Sequence, residues 1–253
     1  MAIEAYGRTD PGCVRTENED RISIDTSLGL FVVCDGMGGH QHGEVAAELA
    51  VAAIRYYVDA SRDRFDVSWP FGYSFEISVD ANRLVTGVRL ANKQVWRRAE
   101  QALEYSGMGT TVAAVLLSED RGVIANVGDS RVYLFRDPDL VQISVDDTMV
   151  GSMLQKGLLS PADVANHPMK NVLTQAAGSK EQVDVHVREE PLLVGDKLLL
   201  CTDGLYGVID EAAIRSMLAS DNNVVATVED LVFAARKRGA PDNVSAVLLS
   251  RCE

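Results

Sequence analysis

Acidic residues stand where several apolar strands are predicted to begin or end, and their positions indicate metal chemistry. Asp35 directly follows the apolar run 31–34, and Asp203 follows the run 198–201 after one threonine. The residues at such positions are Asp20, Asp35, Asp129, Asp203 and Asp242. Neighbouring strands of a sheet lie about 4.8 Å apart, so carboxylates gathered at their ends repel one another unless a cation neutralises them. Oxygen ligands suit Mg²⁺ or Mn²⁺ better than zinc or copper, so the pattern predicts a divalent metal site.

A simpler interpretation applies to each aspartate taken alone, because an aspartate before a glycine is a common turn sequence. Asp35-Gly36 and Asp203-Gly204 have that form. A glycine at this position also lets the backbone carbonyl turn toward an ion. A turn is the more frequent explanation for any one of these residues, whereas the set of five favours the metal site.

The elements that must position these residues are groups of strands separated by pairs of helices. Apolar runs predict strands at 20–25, 28–34, 110–118, 121–127, 130–136, 140–144, 183–189, 197–202 and 243–250. Apolar residues at helical spacing predict helices at 43–58, 81–104, 210–219 and 223–238. Consecutive strands without intervening helices favour antiparallel pairing, and paired helices favour an α+β fold over a βαβ alternation.

Shorter features complete this reading of the chain. Alternating apolar and polar residues allow a short strand at 73–79, and Asp80 is the predicted N-cap of the second helix. Residues 118–120 and 137–139 are predicted hairpin turns. The stretch 146–178 is mixed and short-helical, and it resembles an insertion between strands.

Composition excludes several classes of protein. The chain has 253 residues, of which 47% are hydrophobic and 24% charged, as expected for one globular domain. Its 24 basic and 37 acidic residues give a net charge of −13, which argues against nucleic acid or an anionic membrane as a partner. We find no secretory signal and no apolar run near the roughly 20 residues of a membrane helix. We therefore expect a cytoplasmic protein whose four cysteines are reduced.

Six ordered motifs spread over nearly the whole chain carry a family resemblance. They are Arg15–Asp20, Val33–His40, Gly107–Thr111, Val127–Arg131, Leu200–Gly204 and Asp242–Val244. In this order they resemble the motifs of the bacterial metal-dependent (PPM, type 2C) protein serine/threonine phosphatases. Any one of them is a weak signal, but six in the family's order are a strong one.

The resemblance implies a fold and an activity. The fold is a central β-sandwich of two antiparallel sheets, each of about six strands, flanked by helix pairs in four layers. Residues 1–253 would form a single catalytic domain in which 146–178 is a flap beside the site. The activity is hydrolysis of phosphoserine and phosphothreonine in proteins by a metal-activated water. The implied partners are the phosphorylated substrates of a serine/threonine kinase, and a monomer is expected.

The resemblance also assigns roles, residue by residue, around two or three Mn²⁺ or Mg²⁺ ions. Asp35 would bridge two ions, and Asp203 and Asp242 would complete the first of them. Glu19 and the Gly36 carbonyl would bind the second ion. Asp20 would hold a metal-bound water, Asp129 would share a third ion with Asp203, and Arg15 would grip the substrate phosphate.

The sequence departs from the wider family at the proton donor. Many eukaryotic members have a histidine two positions after the bridging aspartate, and here that position is Met37. His40 lies nearby in a different register. The general acid is therefore either His40 or a metal-bound water.

Other phosphatase chemistries fit the residues less well. A cysteine phosphatase needs an arginine six positions after its cysteine, and Cys13, Cys34 and Cys201 are followed at that spacing by Glu19, His40 and Gly207. The segment 137–141 matches the DxDx[TV] pattern of aspartyl-phosphate hydrolases, but between two strands it is better explained as a turn. Two alternatives of the same fold stay open. One is a non-catalytic module that binds phosphoproteins, and the other is a phosphomonoesterase for small metabolites.

Overall fold

The computed structural model describes residues 2–38, 42–62, 64, 67–164 and 167–252. Its strands are β1 Ile3–Asp10, β2 Arg21–Asp25, β3 Leu30–Cys34, β4 Gly36–Met37, β5 Gly109–Thr110, β6 Val112–Ser118, β7 Arg121–Val127, β8 Arg131–Arg136, β9 Asp139–Gln142, β10 His186–Pro191, β11 Lys197–Cys201 and β12 Val244–Arg251. Its α-helices are α1 Gly43–Ser61, α2 Val79–Gln101, α3 Met149–Gln155, α4 Pro161–Val164, α5 Asp203–Tyr206, α6 Glu211–Leu218 and α7 Val224–Lys237.

The strands form two antiparallel sheets that pack face to face. One sheet has the order β1-β12-β11-β8-β9, and the other has the order β10-β7-β6-β3-β2. In the described part of the chain each sheet has five strands, against the six or so expected, and β4 pairs only with β5. The inner faces meet in one apolar cluster that includes Phe31, Ile124, Val132, Leu200 and Val247.

A helix layer covers the outer face of each sheet, as the α+β prediction required. Helices α1 and α2 pack through a row of alanines, including Ala46 and Ala50, on the β3-β6-β7 face. Helices α5, α6 and α7 pack on β8, β11 and β12, where Leu231 is fully buried. Three separate apolar clusters thus lie between four layers, and the predicted four-layer sandwich is confirmed.

Two local predictions were wrong. Residues 73–79 form no strand, because a turn and a bend occupy 75–77 and Ser78 caps α2, which begins at Val79. The Ser78 side chain accepts a hydrogen bond from the Ala81 amide at 3.1 Å, so Ser78 is the N-cap rather than Asp80. Asp80 instead pairs with Arg83 one turn along the helix.

The aromatic residues before α2 have a packing role. Trp69 lies edge-on to both Tyr57 and Tyr73, with ring centroids 6.3 and 5.1 Å apart. The contact with Tyr57 ties the loop to α1.

Two smaller predictions are confirmed, the hairpin turns and the burial of two cysteines. The turns predicted at 118–120 and 137–139 are found at 119–120 and 137–138, where they join β6 to β7 and β8 to β9. Cys34 and Cys201 are buried and free, as their apolar surroundings indicated. No helix in the described ranges is both long and apolar enough to cross a membrane.

Candidate metal centre

Strand register brings the predicted acidic residues to one end of the sandwich. In one sheet Arg21 pairs with Cys34, so the neighbouring Asp20 and Asp35 lie at the same end of that sheet. In the other sheet Cys201 pairs with both Arg131 and Ala246. Asp129, Asp203 and Asp242 lie next to this end of the second sheet in the sequence. The sandwich thus brings together carboxylates that are far apart in the chain.

The carboxylates are buried and act on one another electrostatically. Burial raises the pKa of Asp35 well above its usual range, and the charges of Asp20, Asp203, Asp129 and Asp242 raise it further. Burial also raises the pKa of Asp129 to about 7, with Asp203 the next cause. For Asp203 the causes of a raised pKa are burial and then the charge of Asp242. Such a set of buried acids needs protons or cations to be stable.

Two carboxylate oxygens in this cluster lack hydrogen-bond partners. Asp20 Oδ1 and Asp203 Oδ1 are fully buried, and neither accepts a hydrogen bond. The other Asp20 oxygen accepts from Ser245 Oγ at 2.6 Å and from Thr202 Oγ1 at 3.0 Å. Burial raises the pKa of Asp20 to about 7 against these two bonds. An unpartnered buried oxygen is costly unless an ion or a proton meets it, so the donor set fits hard divalent cations.

The positions of these acidic side chains do not by themselves define a metal site. Over the described ranges, no group of three or more His, Cys, Asp or Glu side chains has the arrangement of a metal site. Charge coupling and the two unpartnered oxygens are therefore the observations that fit a metal here.

Backbone contacts fix Asp35 and the glycine that follows it. The Asp35 amide donates to Thr111 Oγ1 at 2.9 Å, and its carbonyl accepts from the Thr111 amide at 2.8 Å. At Gly36, a Cβ atom would lie 2.1 Å from the Gly43 carbonyl oxygen at the start of α1. Only glycine fits this approach, so Gly36 has a structural role besides its predicted role as a carbonyl ligand.

Glu19 and Arg15 approach the cluster from the segment before β2. The Glu19 amide donates to Asn243 Oδ1 at 2.8 Å, and its carboxylate accepts from the Gly43 amide at 3.2 Å. Arg15 Nη2 lies 2.9 Å from Asp242 Oδ2, and its side chain is 54% exposed. Arg15 therefore lies at the open face of the cluster, within reach of a ligand from solvent.

Asp129 borders a cleft that leads away from the cluster. Its carbonyl accepts a hydrogen bond from the Tyr206 hydroxyl at 3.0 Å. The cleft has a volume of about 970 Å³, and its lining includes Asp129, Asp203 and Asp242. Val150 and Leu154 of α3, within the predicted flap, line it too. The cleft is large enough for several residues of an extended peptide.

Sequence patterns missed the uncharged residues that hold the acids in place. Asn243 donates to the carbonyls of Pro11 and Glu17 while it accepts from Glu19. The hydroxyl groups of Thr202 and Ser245 donate to the Asp20 carboxylate. Their position within or next to the acidic motifs was the one available signal. His40, a candidate proton donor, lies outside the described residues.

The structure thus combines two packed antiparallel sheets, outer helix layers and a group of buried acids at one end of the sandwich. The family model described as Protein phosphatase 2C matches residues 15–249. The chain belongs to the protein phosphatase 2C family, and the predicted family and hydrolase class are confirmed.

Relatives and solved structures agree with this assignment. The serine/threonine phosphatase stp of Listeria innocua is 33% identical over 252 residues, which cover 98% of this chain and 96% of the relative. The serine/threonine protein phosphatase PstP of Mycobacterium tuberculosis is 34% identical over 98% of this chain and 45% of its own length. The solved structure of that phosphatase superposes with a TM-score of 0.87 at 31% identity and covers all of both chains.

A second structure is informative about metals. The catalytic domain of PstP in complex with two manganese ions has a TM-score of 0.81 and 30% identity, and the match covers 99% of each chain.

Proposed function

We propose that this chain hydrolyses phosphoserine and phosphothreonine in proteins at a centre of two Mn²⁺ or Mg²⁺ ions. The observation that carries the proposal is the cluster of buried, mutually repelling carboxylates with two unpartnered oxygens. Membership of the phosphatase family and the two manganese ions bound by PstP support it. The substrates would be products of a serine/threonine kinase met in the cytoplasm.

The residues divide into those that hold ions and those that meet the substrate. Asp35 is proposed to bridge the two ions, with Asp203 and Asp242 on one side and Glu19 and the Gly36 carbonyl on the other. Asp20 would orient water, and Asp129 with Asp203 would hold a weaker third ion. When bound, paired divalent ions lower the pKa of water and neutralise charge on the phosphate.

Arg15 provides the chain's own contact with the phosphate. A guanidinium donates two parallel hydrogen bonds to phosphate oxygens, which the single point charge of a lysine does not reproduce. Its half-exposed position beside Asp242 supports this role. Arg15 would exchange part of its bond with Asp242 for bonds to the substrate.

The proposal predicts metal-dependent activity. Protein stripped by a chelator should be inactive on a phosphothreonine peptide, and added Mn²⁺ should restore turnover, because the paired carboxylates alone cannot activate water. Asp35→Asn should lose at least about a hundredfold in kcat. Undiminished activity in stripped protein would contradict the mechanism, and absence of activity under all conditions would favour the non-catalytic module.

Asp137→Asn is the matched control for the same chemical change. Asp137 is exposed in the turn at the far end of β8 and would be the nucleophile of an aspartyl-phosphate hydrolase. We expect unchanged activity in this variant. A preference for p-nitrophenyl phosphate over every phosphopeptide would instead favour a small-molecule phosphomonoesterase.

A further inference from the structure

A buried carboxylate outside the acidic cluster joins three segments of the chain. Asp147 Oδ1 lies 2.7 Å from His186 Nε2 at the start of β10. Its other oxygen accepts from the Gly128 amide at 2.9 Å and from Gln175 Nε2 at 2.8 Å. The Asp147 side chain is only 10% exposed, whereas His186 is 34% exposed. The proposed function assigns no role to Asp147, His186 or Gln175.

Asp147 lies where the predicted flap, 146–178, leaves and rejoins the sandwich. Its carbonyl accepts from the Thr174 amide at 2.8 Å, and the Met149 amide donates to the Val172 carbonyl at 2.8 Å. The two ends of the segment therefore run side by side, with the Asp147 carboxylate between them and β10.

Asp147 also binds the residue that precedes Asp129. Its amide donates to the Gly128 carbonyl at 3.0 Å, in addition to the bond from the Gly128 amide to its carboxylate. Gly128 has φ +91°, and a Cβ atom there would lie 2.8 Å from the Thr111 side chain. Glycine is therefore required at this turn, and Asp147 holds the flap to the residue that precedes Asp129.

Gln175 extends the connection from the flap's exit to the segment before β10. Its Nε2 donates to the Asp184 carbonyl at 2.8 Å, and its Oε1 accepts from the Asp184 amide at 3.2 Å. His186 thus supplies the direct side-chain link between β10 and Asp147, and Gln175 the indirect one.

We propose that Asp147 and His186 form a positioning pair that fixes the flap base to β10 and so sets the α3 wall of the cleft for phosphopeptide binding. The proposal rests on the proposed function of the neighbouring acidic cluster. Helix α3 begins two residues after Asp147, and its residues Val150 and Leu154 line the cleft. A peptide would contact that wall, whereas a small phosphate ester would contact only the acidic cluster and Arg15.

The electrostatics of the contact favour the protonated form of His186. The hydrogen bond to Asp147 raises the pKa of His186 although burial opposes the shift. Loss of His186 leaves Asp147 with the Gly128 and Gln175 donors, so the turn that carries Asp129 keeps its bonds. The variant His186→Leu therefore separates the flap's position from the acidic cluster.

Three variants test the pair. His186→Leu removes the bond, whereas His186→Gln can place an amide nitrogen near the position of Nε2 and donate to Asp147. Arg188→Leu is the matched control, because Arg188 lies on the same strand and its ion pair is with Glu190 of that strand.

The first measurement is amide hydrogen exchange in metal-free protein, which does not depend on activity. The Met149 and Thr174 amides, which bond the two ends of the flap to each other, should exchange about tenfold or more faster in His186→Leu than in the wild type. His186→Gln should restore most of the protection, and Arg188→Leu should keep it. Equal protection in all four proteins would overturn the positioning role.

The second measurement compares two substrates with Mn²⁺ present. For a phosphothreonine peptide we expect His186→Leu to raise KM about five- to twentyfold with a smaller change in kcat, and Gln to rescue most of it. For p-nitrophenyl phosphate kcat/KM should stay within about twofold. Equal losses on both substrates, or no loss on the peptide, would overturn the proposal.

The two proposals fail in distinguishable ways. Wild-type protein that is inactive on both substrates would contradict the proposed function, and it would also remove the substrate-binding part of this inference. The exchange measurement would then decide whether the pair positions the flap base.

Discussion

Arg15, the proposed contact for the substrate phosphate, already donates a hydrogen bond to Asp242 at 2.9 Å in this structure. Arg15→Ala should raise KM and lower kcat, since the charge-assisted bond to phosphate acts in the ground state and the transition state. Such a bond contributes roughly 1.5–3 kcal/mol, or about ten- to two-hundredfold in kcat/KM. Steady-state kinetics on a phosphopeptide measure this effect.

The Mn²⁺ affinity of Arg15→Ala tests whether Arg15 contacts the substrate phosphate or supports the metal site. Calorimetric Mn²⁺ titration should give nearly wild-type affinity, because Arg15 is not a ligand. An unchanged KM with collapsed metal affinity would instead make Arg15 a structural partner of Asp242.

Substitutions of Asp129 and Asp203 test whether Asp129 is a turn residue or a metal ligand. If Asp129 holds only a weak third ion, Asp129→Ala should lose the weakest Mn²⁺ site and much of kcat while the fold stays stable. Asp203 would serve two ions, so Asp203→Ala should disturb more than one site. Calorimetric titration measures both effects. Equal stoichiometry and kcat in the wild type and Asp129→Ala would leave Asp129 as a turn residue.

At the residue scale, the sequence identified the acidic residues that gather at one end of the sandwich, but not the contacts that hold them there. The acids stood out because five aspartates at the ends of apolar strands form an unusual set. Asn243 and Ser245 did not, since uncharged polar residues near strand ends have no distinctive spacing. The Arg15–Asp242 contact joins residues 227 positions apart, which no local pattern encodes.

At the scale of elements, strongly periodic segments were predicted well and weakly patterned ones were not. Strand β1, Ile3–Asp10, was missed because only Asp10 of its eight residues is buried, so its hydrophobic pattern is weak. Its place is set by pairing with β12, where Ile3 lies opposite Arg251. A partner so distant in the chain cannot be read from a local window.

The end of β2 offers a pH-dependent test of an element's stability. Hydrogen bonds from Ser27 and Leu28, with smaller contributions from Arg55, lower the pKa of Asp25 to about 2. A carboxyl with a lowered folded-state pKa stabilises the fold above its unfolded pKa near 3.8, and this contribution is lost as pH falls toward 2.

The wild type should therefore melt above Asp25→Asn at pH 6, and the difference should shrink as the pH falls from about 4 toward 2. Calorimetry at several pH values measures it. A melting difference that stays constant over this range would show that the ionised carboxylate is not the source of the stability.

At the scale of the molecule, the fold brings like charges together instead of dispersing them. Strand register and two packed sheets gather carboxylates whose pKa values burial raises, for Asp20 and Asp129 to about 7. A site arranged to bind cations is then a source of instability without them. The four-layer packing must offset this cost, and bound ions would remove it.

This conflict predicts opposite effects of one substitution with and without metal. In chelator, Asp35→Asn should melt at or above the wild-type temperature, because one of the repelling charges is removed. A free Mn²⁺ concentration of about 100 Kd should stabilise the wild type by about 2.7 kcal/mol, or roughly 5–11 °C for a chain of this size. The variant should shift little, since Asp35 is the proposed bridge between the ions. Thermal melts of both proteins, each with and without Mn²⁺, test the prediction. A variant less stable than the wild type in chelator and equally stabilised by Mn²⁺ would identify Asp35 as a structural residue.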